Sequence, residues 1–168
     1  MEERVFKREV NEAMQAAFGS EFEELLFPPA ADQRIQMRIR WRSLQREQSA
    51  ADLSDGTLRF LFLLAALGNP DPPPVIAIDE PETGLHPSML PIVAEYTREA
   101  SRRSQVILAT HSPVLLDAFR TSDPPTITTV DWQEGKTQLT IKEGPELQHW
   151  LKSYTLGDLY RFGQLETL

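Results

Sequence analysis

A chain of 168 residues has room for one domain with a real core, and two full domains are not expected. Lys and Arg number 17 against 25 Asp and Glu, giving a net charge of −8 and a pI near 4.9, so no overall positive field attracts phosphate backbones and direct DNA binding by this chain is disfavoured. There is no cysteine, hence no disulfide framework or thiolate metal site; the start MEERVFKREV lacks the apolar core of a signal peptide; and the longest apolar run, FLFLLAAL at 60–67, falls far short of the roughly 20 residues that span a bilayer, so a soluble cytoplasmic protein is expected.

Along the chain, Val5, Phe6, Val10, Met14, Ala17 and Phe18 recur at helical spacing ahead of Gly19, which predicts an amphipathic helix over residues 2–18. After the break FPPAAD, the stretch RIQMRIRW alternates, with Ile35, Met37, Ile39 and Trp41 on one side and Arg34, Arg38, Arg40 and Arg42 near or on the other, a strand with one wet face. An arginine face can bind an anion, but a solvated antiparallel face is the commoner use of the pattern.

Residues 53–68 read as a short polar turn opening a nearly all-apolar, buried helix that ends at Gly68. NPDPPP punctuates, and VIAI at 75–78 has the continuous apolar run of a parallel strand covered on both faces. Pro87 suits the first turn of a helix to about Ser101, QVILAT repeats the buried-strand pattern, and Pro113 opens another helix after Ser112. TITTV at 126–130 continues this strand–helix grammar of an α/β sheet, and the tail from Gly144 reads as two short helices.

VDWQEGKT, residues 130–137, ends in the last three residues of a Walker A phosphate loop. That loop needs glycine at both ends so that successive N–H groups can curl around phosphates, and the first of those positions here is Val130. Thr137, Leu139 and Ile141 then alternate as a second strand would, so this is a β-hairpin turn around Gly135, and the chain carries no Walker A motif.

Three other stretches carry candidate chemistry. VIAIDEPE sets Asp79 and Glu80 at the carboxyl end of a strand, where ligands bind in open α/β sheets; an aspartate there can hold Mg²⁺ through water and a glutamate can activate a water, although solvated acids capping the next helix would look the same. LSDGT at 53–57 places Ser54 and Gly56 at a helix N-terminus suited to phosphate, and equally to an ordinary N-cap. ATHS ends a strand in His111, either a donor to a terminal phosphate or a hydrogen-bonded structural histidine. Taken singly, the cap and the lone histidine favour the structural readings; the order of the three changes the balance.

Ser54 precedes Asp79 by 25 residues, and Asp79 precedes His111 by 32. LSDGTLRFLFLLAAL, IDEPETGLHP and ATHSPVLLDAF, in that order, resemble the signature, Walker B, D-loop and switch-histidine segments of the ATP-binding-cassette (ABC) ATPases, and most of all the RecF- and SMC-like branch with the bacterial AAA-domain proteins of the overcoming-lysogenization-defect type. The likeness is strong over residues 30–120 and looser in the tail. It implies a partial P-loop NTPase fold: a mostly parallel sheet with flanking helices and a C-terminal β-hairpin edge, in one domain with an N-terminal helix and linker at 1–29, the motif region at 30–120, and a hairpin with C-terminal helices at 121–168.

By that resemblance Ser54 and Gly56 touch the γ-phosphate of ATP held by the opposite subunit of a head-to-tail homodimer, Asp79 positions Mg²⁺, Glu80 activates the hydrolytic water and His111 contacts the γ-phosphate. His86 stands in TGLHP where transporters usually have aspartate, and its role stays open. The family's N-terminal half supplies the phosphate loop, and this chain begins too close to Ser54 to contain one, so a Walker A-bearing half is expected as partner, on the same or a separate chain. Relatives work in DNA repair, chromosome maintenance or phage defence, often beside a nuclease or toxin. Two other readings remain: a self-associating interaction module without catalysis, and a metal-dependent phosphoesterase using Asp79, Glu80, Glu82, His86 and His111.

Overall fold

The computed structural model describes residues 2–29 and 35–167, and its contacts divide into two compact units, 1–109 and 110–168. Arg34, expected on the arginine-lined strand, lies outside the described residues.

Unit 1 opens with helix α1 (Glu2–Phe18), which stops as expected at Gly19, where φ is +65°. Its apolar stripe, with Val10 and Met14 buried, packs toward strand β1 (Phe22–Leu26), and the Asn11 side-chain carbonyl accepts from the Leu25 amide at 3.0 Å. Strand β2 (Arg38–Trp41) pairs antiparallel with β1 on one side and with the short β3 (Gln48–Ser49) on the other. The alternating pattern therefore forms a strand only in its second half. Ile39 is fully buried and Trp41 stacks edge-on against Phe18 and Phe22, while Ile35 is exposed and makes an isolated bridge to Pro29. On the wet face Arg40 bonds Glu47 at 2.7 Å and lies 3.6 Å from Glu24, and Arg42 approaches Glu23 at 3.8 Å. The hydrogen bond to Glu47 leads the effects that raise the Arg40 pKa. These arginines are matched by carboxylates, the pattern of a solvated sheet face rather than of an anion site.

Helix α2 (Asp55–Leu67) is capped by Ser54 and closed by Gly68. Phe60, Leu63, Leu64 and Leu67 lie at or near zero exposure in the core of unit 1. Burying a side chain the size of Phe60 contributes about 1.5–3 kcal/mol. Phe62, on the opposite side of the helix, is exposed, so α2 is not buried all round.

Strands β4 (Val75–Asp79) and β5 (Gln105–Ala109) pair in parallel, joined through a 3₁₀ turn (Pro87–Met89) and helix α3 (Leu90–Ala100). Both strands were expected to be covered on both faces. Ile76, Ile78 and Val106 meet the core, but Val75 (51% exposed), Ala77, Gln105 and Ile107 (49% exposed) form a bare face. A continuous apolar run tells that a strand suits two covered faces, and the described residues cover one. Parallel pairing is confined to β4 and β5 among the described residues; the other ladders are antiparallel.

Unit 2 begins with helix α4 (Pro113–Ala118), capped by Ser112, whose hydroxyl accepts from the Leu115 amide at 3.2 Å. The hairpin of β6 (Ile127–Gln133) and β7 (Lys136–Lys142) turns through Glu134 and Gly135, both at positive φ. Its strands run further than the expected 126–130 and 137–141, leaving a two-residue turn of the type that matches strand twist. The tail holds three short helices where two were expected: α5 (Pro145–Trp150), α6 (Leu156–Arg161) and α7 (Gln164–Thr167). Asp117 organises this unit. Its carboxylate accepts from the Thr155 hydroxyl, the Gly157 amide (3.0 Å) and Arg161 (2.6 Å), and a Cβ at Gly157 would overlap both Asp117 and the Pro113 carbonyl. Glycine thus lets α6 lie directly on α4.

Candidate functional site

In unit 1 the end of β4, the start of α2 and the loop after β4 meet. Ser54 is the N-cap of α2: its Oγ accepts from the Thr57 amide at 3.1 Å and lies 2.9 Å from the Thr57 hydroxyl. The sequence allowed a cap or a phosphate site, and in this structure the cap is made, with Ser54 itself still exposed at the positive end of the helix dipole. Gly56, in the first turn, has no room for a side chain, because a Cβ there would overlap the carbonyl oxygen of Gly84. Gly84 belongs to the TGLHP loop and is itself at φ +76°.

Asp79 ends β4, exposed, opposite Ala109 of β5. Glu80 follows at φ +46°, a left-handed conformation that an L-residue adopts at a cost of order 1–3 kcal/mol. Three hydrogen bonds to its backbone hold it there: its amide donates to the Ala109 carbonyl at 2.8 Å, and its own carbonyl accepts from the Thr83 amide at 3.1 Å and from the Arg59 guanidinium at 2.6 Å. The same Arg59 nitrogen reaches the Asp79 carbonyl at 3.2 Å. Pro81, next in the chain, is fully buried.

Arg59 is the residue that sequence reasoning passed over. The signal was present: in DGTLRFLFLLAAL it is a lone cation past the first turn of an apolar helix, and a charge in such a setting requires a partner. Gly84 was likewise readable only as part of the loop motif, since nothing in the sequence marks which glycine another backbone must approach.

His86 caps the 3₁₀ turn Pro87–Met89 through Nδ1, which accepts from the Ser88 amide at 3.3 Å and sits 2.8 Å from the Ser88 hydroxyl. This cap gives His86 a structural task in the loop. His111 lies two residues past β5, exposed, in the first residues of unit 2. Ser54, Gly56, Asp79 and Glu80 are thus gathered in unit 1, and His111 belongs to the other unit. The clefts of about 670 and 960 Å³ along α1 contain none of these residues and lie away from the strand ends.

Among the described residues no three His, Asp or Glu side chains gather into a set that could hold a metal ion. A phosphoesterase built on several protein ligands finds no such cluster here. A single exposed carboxylate such as Asp79 is what Mg²⁺ requires when water and phosphate oxygens supply the rest of its octahedron. No helix among the described residues is long and apolar enough to cross a membrane.

Known proteins resemble this arrangement in fold. An SMC ATPase chain studied for ATP-driven dimerisation and DNA-stimulated activation superposes with a TM-score of 0.63 at 14% identity, over 98% of this chain and 92% of that one. The Smc head bound to the C-winged-helix domain of ScpA gives 0.66 at 16% identity, over 87% of this chain and 44% of that one. The Smc head of Pyrococcus furiosus with an extended coiled coil, bound to the C-terminal domain of ScpA, gives 0.63 at 15% identity over 98% and 38%. The chain therefore spans nearly all of the first and less than half of the other two. At these identities the likeness is one of fold, an α/β SMC-type ATPase head. No curated protein sequence matches. The family model described as "AAA domain, putative AbiEii toxin, Type IV TA system" matches residues 2–117, which takes in α1, the Ser54 helix, the Asp79–Glu80 strand end and His111. The chain belongs to this AAA-domain ATPase family.

Proposed function

We propose that this chain is the signature- and Walker B-bearing part of an ABC-type ATPase, acting when joined to a Walker A-bearing part and paired head to tail with a second copy. The observation that carries the reading is the meeting of three motifs in one unit: the Ser54-capped helix packs Gly56 against Gly84 of the TGLHP loop, and Arg59 of the same helix holds the Asp79–Glu80 carbonyls.

In this reading ATP is the substrate. Ser54 and the free N–H groups at the start of α2 present a positive dipole end to the γ-phosphate held across the dimer, and Gly56 allows close approach. Asp79 holds Mg²⁺, which neutralises developing phosphate charge when bound. Glu80, turned out of the strand by its left-handed backbone, takes a proton from the attacking water, and His111 donates to the γ-phosphate. The phosphate loop comes from the other part. The bare face of Val75, Ala77 and Ile107 fits the same reading, because a strand made for two covered faces has one of them uncovered among the described residues. The setting we propose is cytoplasmic, in phage defence or DNA maintenance with a nuclease or toxin partner, the toxin–antitoxin description of the family favouring the former.

The test is to co-express or fuse the chain with a Walker A-bearing half and compare Glu80→Gln with wild type. Turnover falls while ATP-bound dimer accumulates; unchanged turnover removes Glu80 from its role. A second reading, a self-associating module without catalysis, is favoured by the exposed hairpin face of Val130, Trp132, Leu139 and Ile141. A stable oligomer of the isolated chain, with ATP neither bound nor hydrolysed in the joined protein, would establish it instead.

A further inference from the structure

The signature helix and the candidate general base are joined by one side chain, and that joint has a direction. Residues 56 and 59 are three apart on α2, hence neighbours on one helix face. Both contact the same segment: Gly56 lies against the Gly84 carbonyl, and Arg59 reaches the Asp79 and Glu80 carbonyls at 3.2 and 2.6 Å. Arg59 lies five residues past the cap Ser54, about 7.5 Å along the axis at 1.5 Å per residue. A shift or rotation of the helix start therefore moves the guanidinium and the Gly84 contact together.

What it moves is the pair of peptides flanking Glu80, which together set the direction of its side chain. Glu80 is at φ +46° ahead of buried Pro81, a combination that the local sequence does not favour. Its amide is fixed by β5 through Ala109, and its carbonyl takes Thr83 and Arg59. Arg59 alone among these partners comes from outside the β4–β5 pair and its loop. The arginine also bears a cost for the position. Its Nε is buried with no hydrogen-bond partner, so the guanidinium is placed to serve the two carbonyls rather than to satisfy all of its own donors.

We infer that Arg59 is a positioning residue which couples the signature helix to Glu80 in the same chain. The inference rests on the function proposed above, in which Ser54 and Gly56 meet the nucleotide of the opposite subunit while Glu80 acts on the chain's own. Arg59 then links the two ATP sites of the dimer: engagement of α2 by one nucleotide holds Glu80 in register for the other. The step adds no new chemistry, since Arg59 acts through the two backbone carbonyls it holds.

The test uses the chain joined to its Walker A-bearing half, with Arg59→Ala, Arg59→Lys and Glu80→Gln measured side by side for kcat, KM for ATP and cooperativity in ATP. Arg59→Ala is expected to lower kcat about 100-fold, the scale of a misplaced catalytic group, with KM nearly unchanged and the Hill coefficient falling toward one. Arg59→Lys keeps a cation that can reach one carbonyl and recovers part of kcat. Hydrogen exchange on the same proteins is expected to show faster exchange in the segment around Glu80, with protection of the α1–β1 region kept. A kcat within twofold of wild type in Arg59→Ala, while Glu80→Gln is inactive, overturns the coupling and leaves the proposed function standing. A parallel rise in KM, or loss of protection throughout unit 1, assigns Arg59 to general stability and also overturns it. Full turnover in Glu80→Gln overturns the proposed function itself.

Discussion

Two glutamates in this chain share a backbone conformation that glutamate rarely adopts. Glu80 has φ +46° and Glu134 has φ +49°. Glu134 sits with Gly135, at φ +77°, in the two-residue turn between β6 and β7, where positive φ at both central positions is what joins right-twisted strands. Any residue there would be bent the same way, and the turn is exposed. Glu80 has no such local reason. It ends a parallel strand, and its conformation is imposed by Ala109 on the neighbouring strand and Arg59 on a helix 21 residues upstream. One conformation is local and incidental; the other is built by tertiary contacts at a strand end where chemistry is expected.

The comparison breaks most visibly at the side chains. In the joined protein, Glu80→Gln should lower turnover by about 10²–10⁴-fold, the usual contribution of a general base, with ATP still bound, whereas Glu134→Gln should leave turnover unchanged. Single-turnover hydrolysis measured with both variants decides it, and comparable losses at both positions would mean that backbone conformation had misidentified the functional residue.

The next effect acts through packing. Gly56→Ala sets a methyl into the Gly84 carbonyl, a backbone atom that cannot rotate away, and should cost about 1–3 kcal/mol as other overpacked sites do. Hydrogen exchange should loosen in the start of α2 and the 79–84 loop while the hairpin amides of β6 and β7 are unaffected. Equal loosening at the Glu134 turn would show that the two turns are not independent and would remove the distinction drawn between them.

Much of this was readable from the residues. The cap at Ser54, the stop at Gly68, the strand ending in Asp79 and the hairpin around Gly135 all follow from local rules, since a cap, a run or a turn acts within a few residues. The failures arise where a local rule does not decide. FEELL escaped notice as strand β1 because a register shift between Phe22 and Glu24 buries Phe22 and Leu25, three apart, and so disguises the period of two. VIAI promised two covered faces, and the count of layers is not written in a strand's own sequence. Arg59 could be flagged as a charge needing a partner, but its partners are backbone carbonyls 20 and 21 residues away, which no side-chain pattern records.

The smallest predicted effect is the most discriminating about strain. A left-handed L-residue costs roughly 1–2 kcal/mol, and glycine gives back roughly 0.5–1 kcal/mol through its greater entropy in the unfolded chain. Relief of φ alone therefore predicts that Glu80→Gly and Glu134→Gly each stabilise by about 0.5–1 kcal/mol, read as a rise in urea midpoint at constant slope. The contacts that impose the Glu80 conformation are made by its backbone and survive the substitution, so nothing else need be lost from the fold. Equal gains would mean that the protein bears the same strain twice, once because a hairpin demands it and once to aim a carboxylate, and that only the second gain would come with loss of turnover. A gain at Glu134 with none at Glu80 would mean instead that the Glu80 side chain itself stabilises unit 1, and that its placement owes more to folding than to chemistry.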